Sequence, residues 1–172
     1  MMTSVEDRLA KLEAESAIRA VITRYFALCD RLDDTTPMDE LTGLFCEDAV
    51  WAGRGARYRG SFGEQSGRAA ITAMFERYRG PVPHFAMNAH FLTSETITVE
   101  GSSATGGWMM LQTSTYADGR SDLRSARITV QFALADGRWR IRRFETKNIF
   151  SRPIDRWDDA APVPVPPSPT GG

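Results

Sequence analysis

Two imidazoles exist in the chain, His84 and His90, and both fall in the stretch PHFAMNAHFL. Imidazole has the side-chain proton equilibrium closest to neutral pH, so it is the first candidate for moving a proton. A histidine that acts as a general base also needs a group to hold its second nitrogen. Asp30 is a carboxylate suited to that task. It closes the apolar run YFALCD, at the end of an expected helix, where the negative end of the dipole disfavours an acid. Two roles fit it there. It is either the first of a solvated acidic loop with Asp33 and Asp34, or a carboxylate that accepts an imidazole N–H and fixes the tautomer. Tyr25 precedes it by five residues, about 140° around an ideal helix. Tyr25 is a core aromatic with its hydroxyl at the edge, or it reaches the same site as Asp30 from another side if the helix loosens at Cys29.

The strand that carries the histidines has two distinct faces. His84, Ala86, Asn88, His90, Leu92 and Ser94 alternate onto one; Phe85, Met87, Ala89, Phe91 and Thr93 onto the other. Two arrangements satisfy this pattern. The greasy face packs on the core with the polar face in water, or the sheet curves so that the polar face lines a cavity and the greasy face meets another subunit. His90 sits well inside the strand, where packing holds a ring rigidly, whereas His84 follows Pro81 and Pro83 at its entrance. Position favours His90 as the reactive one. Trp51 and Trp108 fit either pocket walls or plain core. Arg143 shares strand parity with Trp139 and Ile141. If those two face inward so does Arg143, and an inward arginine needs a partner or a ligand.

The elements that must position these groups follow from periodicity. Leu9, Leu12, Ile18, Val21, Ile22, Tyr25, Phe26 and Cys29 recur at helical steps, which predicts a first helix from about Ser4 to Cys29. PMDELTGLF predicts a short second helix with proline near its first turn. EDAVWAG reads as a strand, and ARYRGSFG as a second short strand or a loop. SGRAAITAMFERYRG predicts a third helix capped by Ser66 and ended by Gly80 and Pro81. Four long segments rich in Thr, Val, Ile and aromatics follow, with Asp118-Gly119 and Asp136-Gly137 as hairpin turns. Helices first and a four-strand meander last is the order of an α+β domain, covering residues 1–155. The proline-rich segment 156–172 is expected to be extended or disordered.

Several functions are set aside by composition. With 172 residues, 42% apolar and 25% charged, the chain fits one globular domain. A net charge of -1 offers no basic stripe for nucleic acid. No run is apolar enough for a membrane span and the N-terminus carries no secretory signal, so the expected location is cytoplasmic. Cys29 and Cys46 form no CxxC pair and fit small buried thiols, with a disulfide between them left open. No HExxH or cysteine cluster is present, and histidines six residues apart match no ligand signature, so no metal site is expected. GRGARYRG lacks dinucleotide spacing and no Walker loop exists, so no cofactor is expected.

Taken in order, AIRAVITRYFALCDRLD, LFCEDAVW, GRAAITAMF, HFLTSETITVEGSSATGGW and DGRWRIRRFE resemble the SnoaL-like branch of the nuclear-transport-factor-2-like superfamily. Scytalone dehydratase, bile acid 7α-dehydratase and hexachlorocyclohexane dehydrochlorinase are the enzymes it is most similar to. The resemblance spans residues 5 to 150. It implies a cone-shaped α+β fold, with a strongly curved mixed or antiparallel β-sheet wrapped around N-terminal helices and enclosing a deep pocket. It also implies a histidine-aspartate pair that removes a proton and expels a leaving group. His90, Asp30 and Tyr25 fall on the catalytic positions, and Trp51, Arg143, Trp108 and His84 on the substrate side. Trp51 stands where some relatives carry a tyrosine. The Trp108 strand reads WMMLQTS, without a second carboxylate, which leaves Gln112 or Ser114 to stand in. The implied function is a cofactor-free lyase or isomerase acting on a small apolar cyclic, polyketide- or steroid-like molecule, in a homo-oligomer that is a trimer or a dimer. The same fold also serves as the non-catalytic β subunit of ring-hydroxylating dioxygenases, or as a ligand-binding module.

Overall fold

A computed structural model describes residues 4–55, 58, 60–155 and 157. Apart from Trp157, the segment expected to be a tail lies outside the described residues.

Helix α1 spans Val5–Asp30. It starts where sequence places it because Ser4 and Asp7 form a capping box: each side chain accepts from the other's backbone N–H, at 3.0 and 3.1 Å. Its second half carries the core stripe Ile18, Ile22, Tyr25, Phe26 and Leu28. The first half is mostly exposed, with Ala14 its contact to the core. Leu9 and Leu12, expected on the buried face, are exposed. Helix α2 is Met38–Gly43, with Pro37 as its N-cap. Helix α3, Arg68–Arg79, buries Ile71, Met74 and Phe75. Its N-cap is Gly67 at φ 86° rather than Ser66, which instead ends a short strand. The chain must turn sharply between that strand and the helix, and a positive φ there suits glycine. No helix among the described residues is long and apolar enough to cross a membrane.

The six strands are β1 Phe45–Arg54, β2 Glu64–Ser66, β3 Phe85–Glu100, β4 Ser103–Tyr116, β5 Ser121–Ala135 and β6 Arg138–Ile154. They form one open sheet in the order β2-β1-β6-β5-β4-β3, antiparallel throughout except for the parallel β1–β6 pair. The expected meander is β3 to β6. Of the stretch ARYRGSFG, the residues described lie in no strand; β2 follows it. The fold is the α+β cone expected from sequence, with the helices on the concave side of the curved sheet.

Bulges curve the sheet and change which residues face inward. In β3 the register with β4 shifts between Thr93 and Thr96, where Ser94 adopts φ 55°. Before this bulge His90 and Leu92 face the interior; after it Ile97 and Val99 do. In β6 the partner of Gln131 is Arg143 but the partner of Phe132 is Ile141. The extra residue reverses parity: Ile141 and then Phe144 are buried, and Arg143 is turned out of the core. The inward parity expected for Arg143 is thereby corrected. Its guanidinium pairs with Glu145 at 2.8 Å and with Glu64 at 3.3 Å.

Trp108 packs directly over Gly106, so that a Cβ at position 106 would collide with the indole. The Gly106→Ala variant is expected to lose about 1–3 kcal/mol by overpacking, measured as a lower urea midpoint. An unchanged midpoint would show that the ring has room to move.

Candidate active site

The polar face of β3 is the one that turns inward. Asn88 and His90 line a cavity of about 130 Å³ between the sheet, α1 and α3. The opposite face carries Phe91, which is 55% exposed. The arrangement with a greasy core face and a wet polar face is therefore not the one this sheet adopts.

His90 is the centre of the site. Its Nδ1 lies 2.5 Å from Asp30 Oδ1, and its backbone N–H donates to Asp30 Oδ2 at 3.3 Å. Asp30 is the last residue of α1, and these two donors from β3 offset its unfavourable place at the helix dipole. With a carboxylate accepting at Nδ1, the neutral ring carries its proton there and presents Nε2 as an acceptor. Phe26 packs on the ring at 4.9 Å. The imidazole side chain is 10% exposed and the carboxylate 28%. The ring borders the cavity and the acid does not.

Tyr25 lines the same cavity, with the helix unbroken through Asp30. Its hydroxyl accepts from Trp51 Nε1 at 2.9 Å and lies beside the Cys29 thiol. Burial pushes the phenol well above its usual pKa; the nearby Cys29 adds to the rise and the Trp51 N–H offsets part of it. Burial likewise pushes the Cys29 thiol up to about 12. At neutral pH both therefore keep their protons, and Cys29 is no nucleophile. Both cysteines are free.

The remaining sequence candidates divide. Trp51 lines the cavity and stacks on Phe144, with centroids 5.8 Å apart. His84 also lines it, in ring contact with Tyr78, Phe85 and Tyr116. Burial lowers the His84 pKa, repulsion from Arg124 lowers it further, and Asp118 opposes both. Trp108 and Arg143 do not border the cavity. Trp108 instead donates to Glu95 Oε2 at 3.2 Å, and Glu95 in turn holds Arg19 at 2.7 Å.

Sequence reasoning missed Arg124, which does line the cavity. It donates to Asp122 Oδ2 at 2.6 Å and to the Tyr116 hydroxyl. The signal was available: Arg124 shares parity with the buried Ala126, Ile128 and Val130, and β5 has no extra residue between them. Tyr58 and Phe62, also missed, come from a glycine-rich stretch with no periodicity to mark them.

Comparison with known proteins agrees with this architecture. The SnoaL-like domain matches residues 10–145. The chain belongs to the SnoaL-like family. Among solved structures, an NTF2-like protein with a cystatin-like fold from Novosphingobium aromaticivorans is 28% identical, with a TM-score of 0.68 over 87% of this chain and 92% of that one. A scytalone dehydratase candidate from the same species is 21% identical, with a TM-score of 0.69 over 88% and 93%. The hexachlorocyclohexane dehydrochlorinase LinA-type3 from Novosphingobium barchaimii is 18% identical, with a TM-score of 0.71 over 93% and 99%. No curated protein matches the chain.

Proposed function

We propose that this SnoaL-like protein is a lyase of the elimination type, or a closely related isomerase, acting on a small, largely apolar ring compound. The observation that carries the reading is the 2.5 Å contact between His90 Nδ1 and Asp30 at the wall of an apolar cavity. His90 Nε2 takes a proton from an activated C–H of the substrate. Asp30 steadies the imidazolium that forms and keeps the tautomer correct. The electron pair left on carbon forms the new double bond as the leaving group departs; in the isomerase variant it shifts along the ring and the imidazolium returns the proton at another carbon. Tyr25 directs its O–H toward the leaving group or a developing oxyanion. The Trp51 N–H on its oxygen makes that phenol a stronger donor. Trp51 and His84 belong to the binding wall; Trp108 and Arg143 have structural work elsewhere. The similarity to a dehydratase candidate and a dehydrochlorinase supports the same class of chemistry. An open cavity with an imidazole on its wall favours an enzyme over a non-catalytic dioxygenase β subunit.

The second part of the proposal is assembly. Phe91, Leu111 and Phe150 align across the convex face through the pairs Phe91–Leu111, Leu111–Ser125 and Ser125–Phe150. All three are exposed in the single chain, a patch suited to a second copy of the protein in a homo-oligomer.

A panel of cyclic β-hydroxyketones and ring halides, scored by release of water or halide, tests the chemistry. His90→Ala and Asp30→Asn are expected to remain folded, with some loss of stability, and to lose about 10²–10⁴-fold in turnover. Wild-type turnover in both variants would remove the pair from the mechanism. Light scattering tests the assembly. Phe91→Arg is expected to convert an oligomer to single chains, and a wild type that is itself a single chain would refute the interface.

A further inference from the structure

The polar residues beside His90 form a chain whose direction is fixed at one end. The Cys29 carbonyl lies in the last turn of α1, where helical carbonyls lack an intrahelical donor. Asn88 Nδ2 donates to it at 3.4 Å. A carbonyl can only accept, so the Asn88 amide must point its nitrogen there and its oxygen the other way. That oxygen accepts twice, from Ser114 Oγ and from Gln112 Nε2, both at 2.8 Å. Gln112 must therefore give its nitrogen to Asn88 and turn its own carbonyl oxygen elsewhere. Among the described residues nothing donates to that oxygen. It is also not among the buried side-chain atoms that lack a partner, so part of its surface is open. Gln112 is 7% exposed and borders the cavity, so its carbonyl has the cavity to face.

From this we infer that Gln112 is a specificity-determining residue that accepts a hydrogen bond from a hydroxyl or N–H on the substrate, which must therefore carry such a donor. The inference rests on the cavity being the substrate site, as in the proposed elimination, but not on His90 being the base. Gln112 and His90 are directly paired positions on β4 and β3. The cavity thus presents two acceptors on one wall, Gln112 Oε1 and His90 Nε2. A hydroxylated ring satisfies both, with O–H on the amide and an acidic C–H at the imidazole. A pure ring halide leaves the amide oxygen dry and unpaired, which penalises its binding. A ring that carries a hydroxyl or N–H is thereby selected over a bare ring halide. In the dehydration of such a ring the C–H proton goes to His90, the C–O bond breaks, hydroxide leaves as water with a proton from Tyr25, and the proton held on the imidazolium passes through solvent to the Tyr25 phenolate, which restores both groups.

Calorimetric titration with 2-naphthol and with 2-methylnaphthalene, similar in size but with and without a donor, tests this. The wild type is expected to bind 2-naphthol at least about tenfold more tightly. Gln112→Met, close in volume but without the carbonyl, is expected to bring the two affinities within about threefold of each other. His90→Ala is expected to keep the preference. Equal binding of both probes by the wild type would overturn the inference. So would a preference kept in Gln112→Met and lost in His90→Ala, which would give the hydroxyl to the imidazole. Should Gln112→Met fail to fold, the side-chain amide resonances of Gln112 decide the matter in the wild type: 2-naphthol must shift them and 2-methylnaphthalene must not. Loss of turnover is not read in any arm, so failure of the dyad and failure of this inference remain separate results.

Discussion

One carboxylate joins the two halves of this molecule. Asp30 ends the long first helix, and both of its oxygens meet His90, one at the ring and one at the backbone N–H. Without a partner, an acid at a helix C-terminus is disfavoured by the dipole. Without a partner, an imidazole on an inward strand face is a half-desolvated polar group in an aromatic wall. Each corrects the other's defect, and the pair pins the helix end to β3. Everything else in the cavity is arranged around that joint: Phe26 on one side of the ring, and Tyr25 held by Trp51 across the cavity.

The same helix end sets the polarity of the neighbouring residues. An orphan carbonyl at Cys29 orients Asn88, Asn88 orients Gln112, and Gln112 is left with an acceptor to offer. Inside an apolar enclosure such orientation has weight, because dipoles and partial charges act there with little screening by water. Groups held in place before a ligand arrives need no reorganisation afterwards. On the proposed reading, a small cavity with few polar atoms discriminates because each of those atoms is already fixed.

Much of this was legible in the sequence. Helical spacing gave α1 and α3, and the two Asp-Gly pairs marked hairpins of the meander. The unusual placement of Asp30 and the interior position of His90 made each a candidate, and the resemblance to the SnoaL-like family paired them. What sequence could not show was the effect of single extra residues. Arg143 and Arg124 were open to the same parity argument. It fails for Arg143 because a bulge at Arg142 flips the strand, and it would have succeeded for Arg124, where β5 runs without interruption. The inward polar face of β3 was equally ambiguous, because the curvature that makes a cavity comes from bulges such as the one at Ser94, which no periodicity announces. The exposed Leu9 and Leu12 show the converse: a correct helical stripe extends past the end of the surface that could bury it.

The claim on which the account depends is that Asp30 holds a ring proton of His90 at Nδ1, which leaves Nε2 as the nitrogen that accepts. Nitrogen-15 NMR of the imidazole at pH 7 measures this directly. The account predicts a protonated, pyrrole-like Nδ1 and a pyridine-like Nε2, with the distinction collapsing toward a tautomeric average in Asp30→Asn. A proton on Nε2 in the wild type, or an average that Asp30→Asn leaves unchanged, would contradict it.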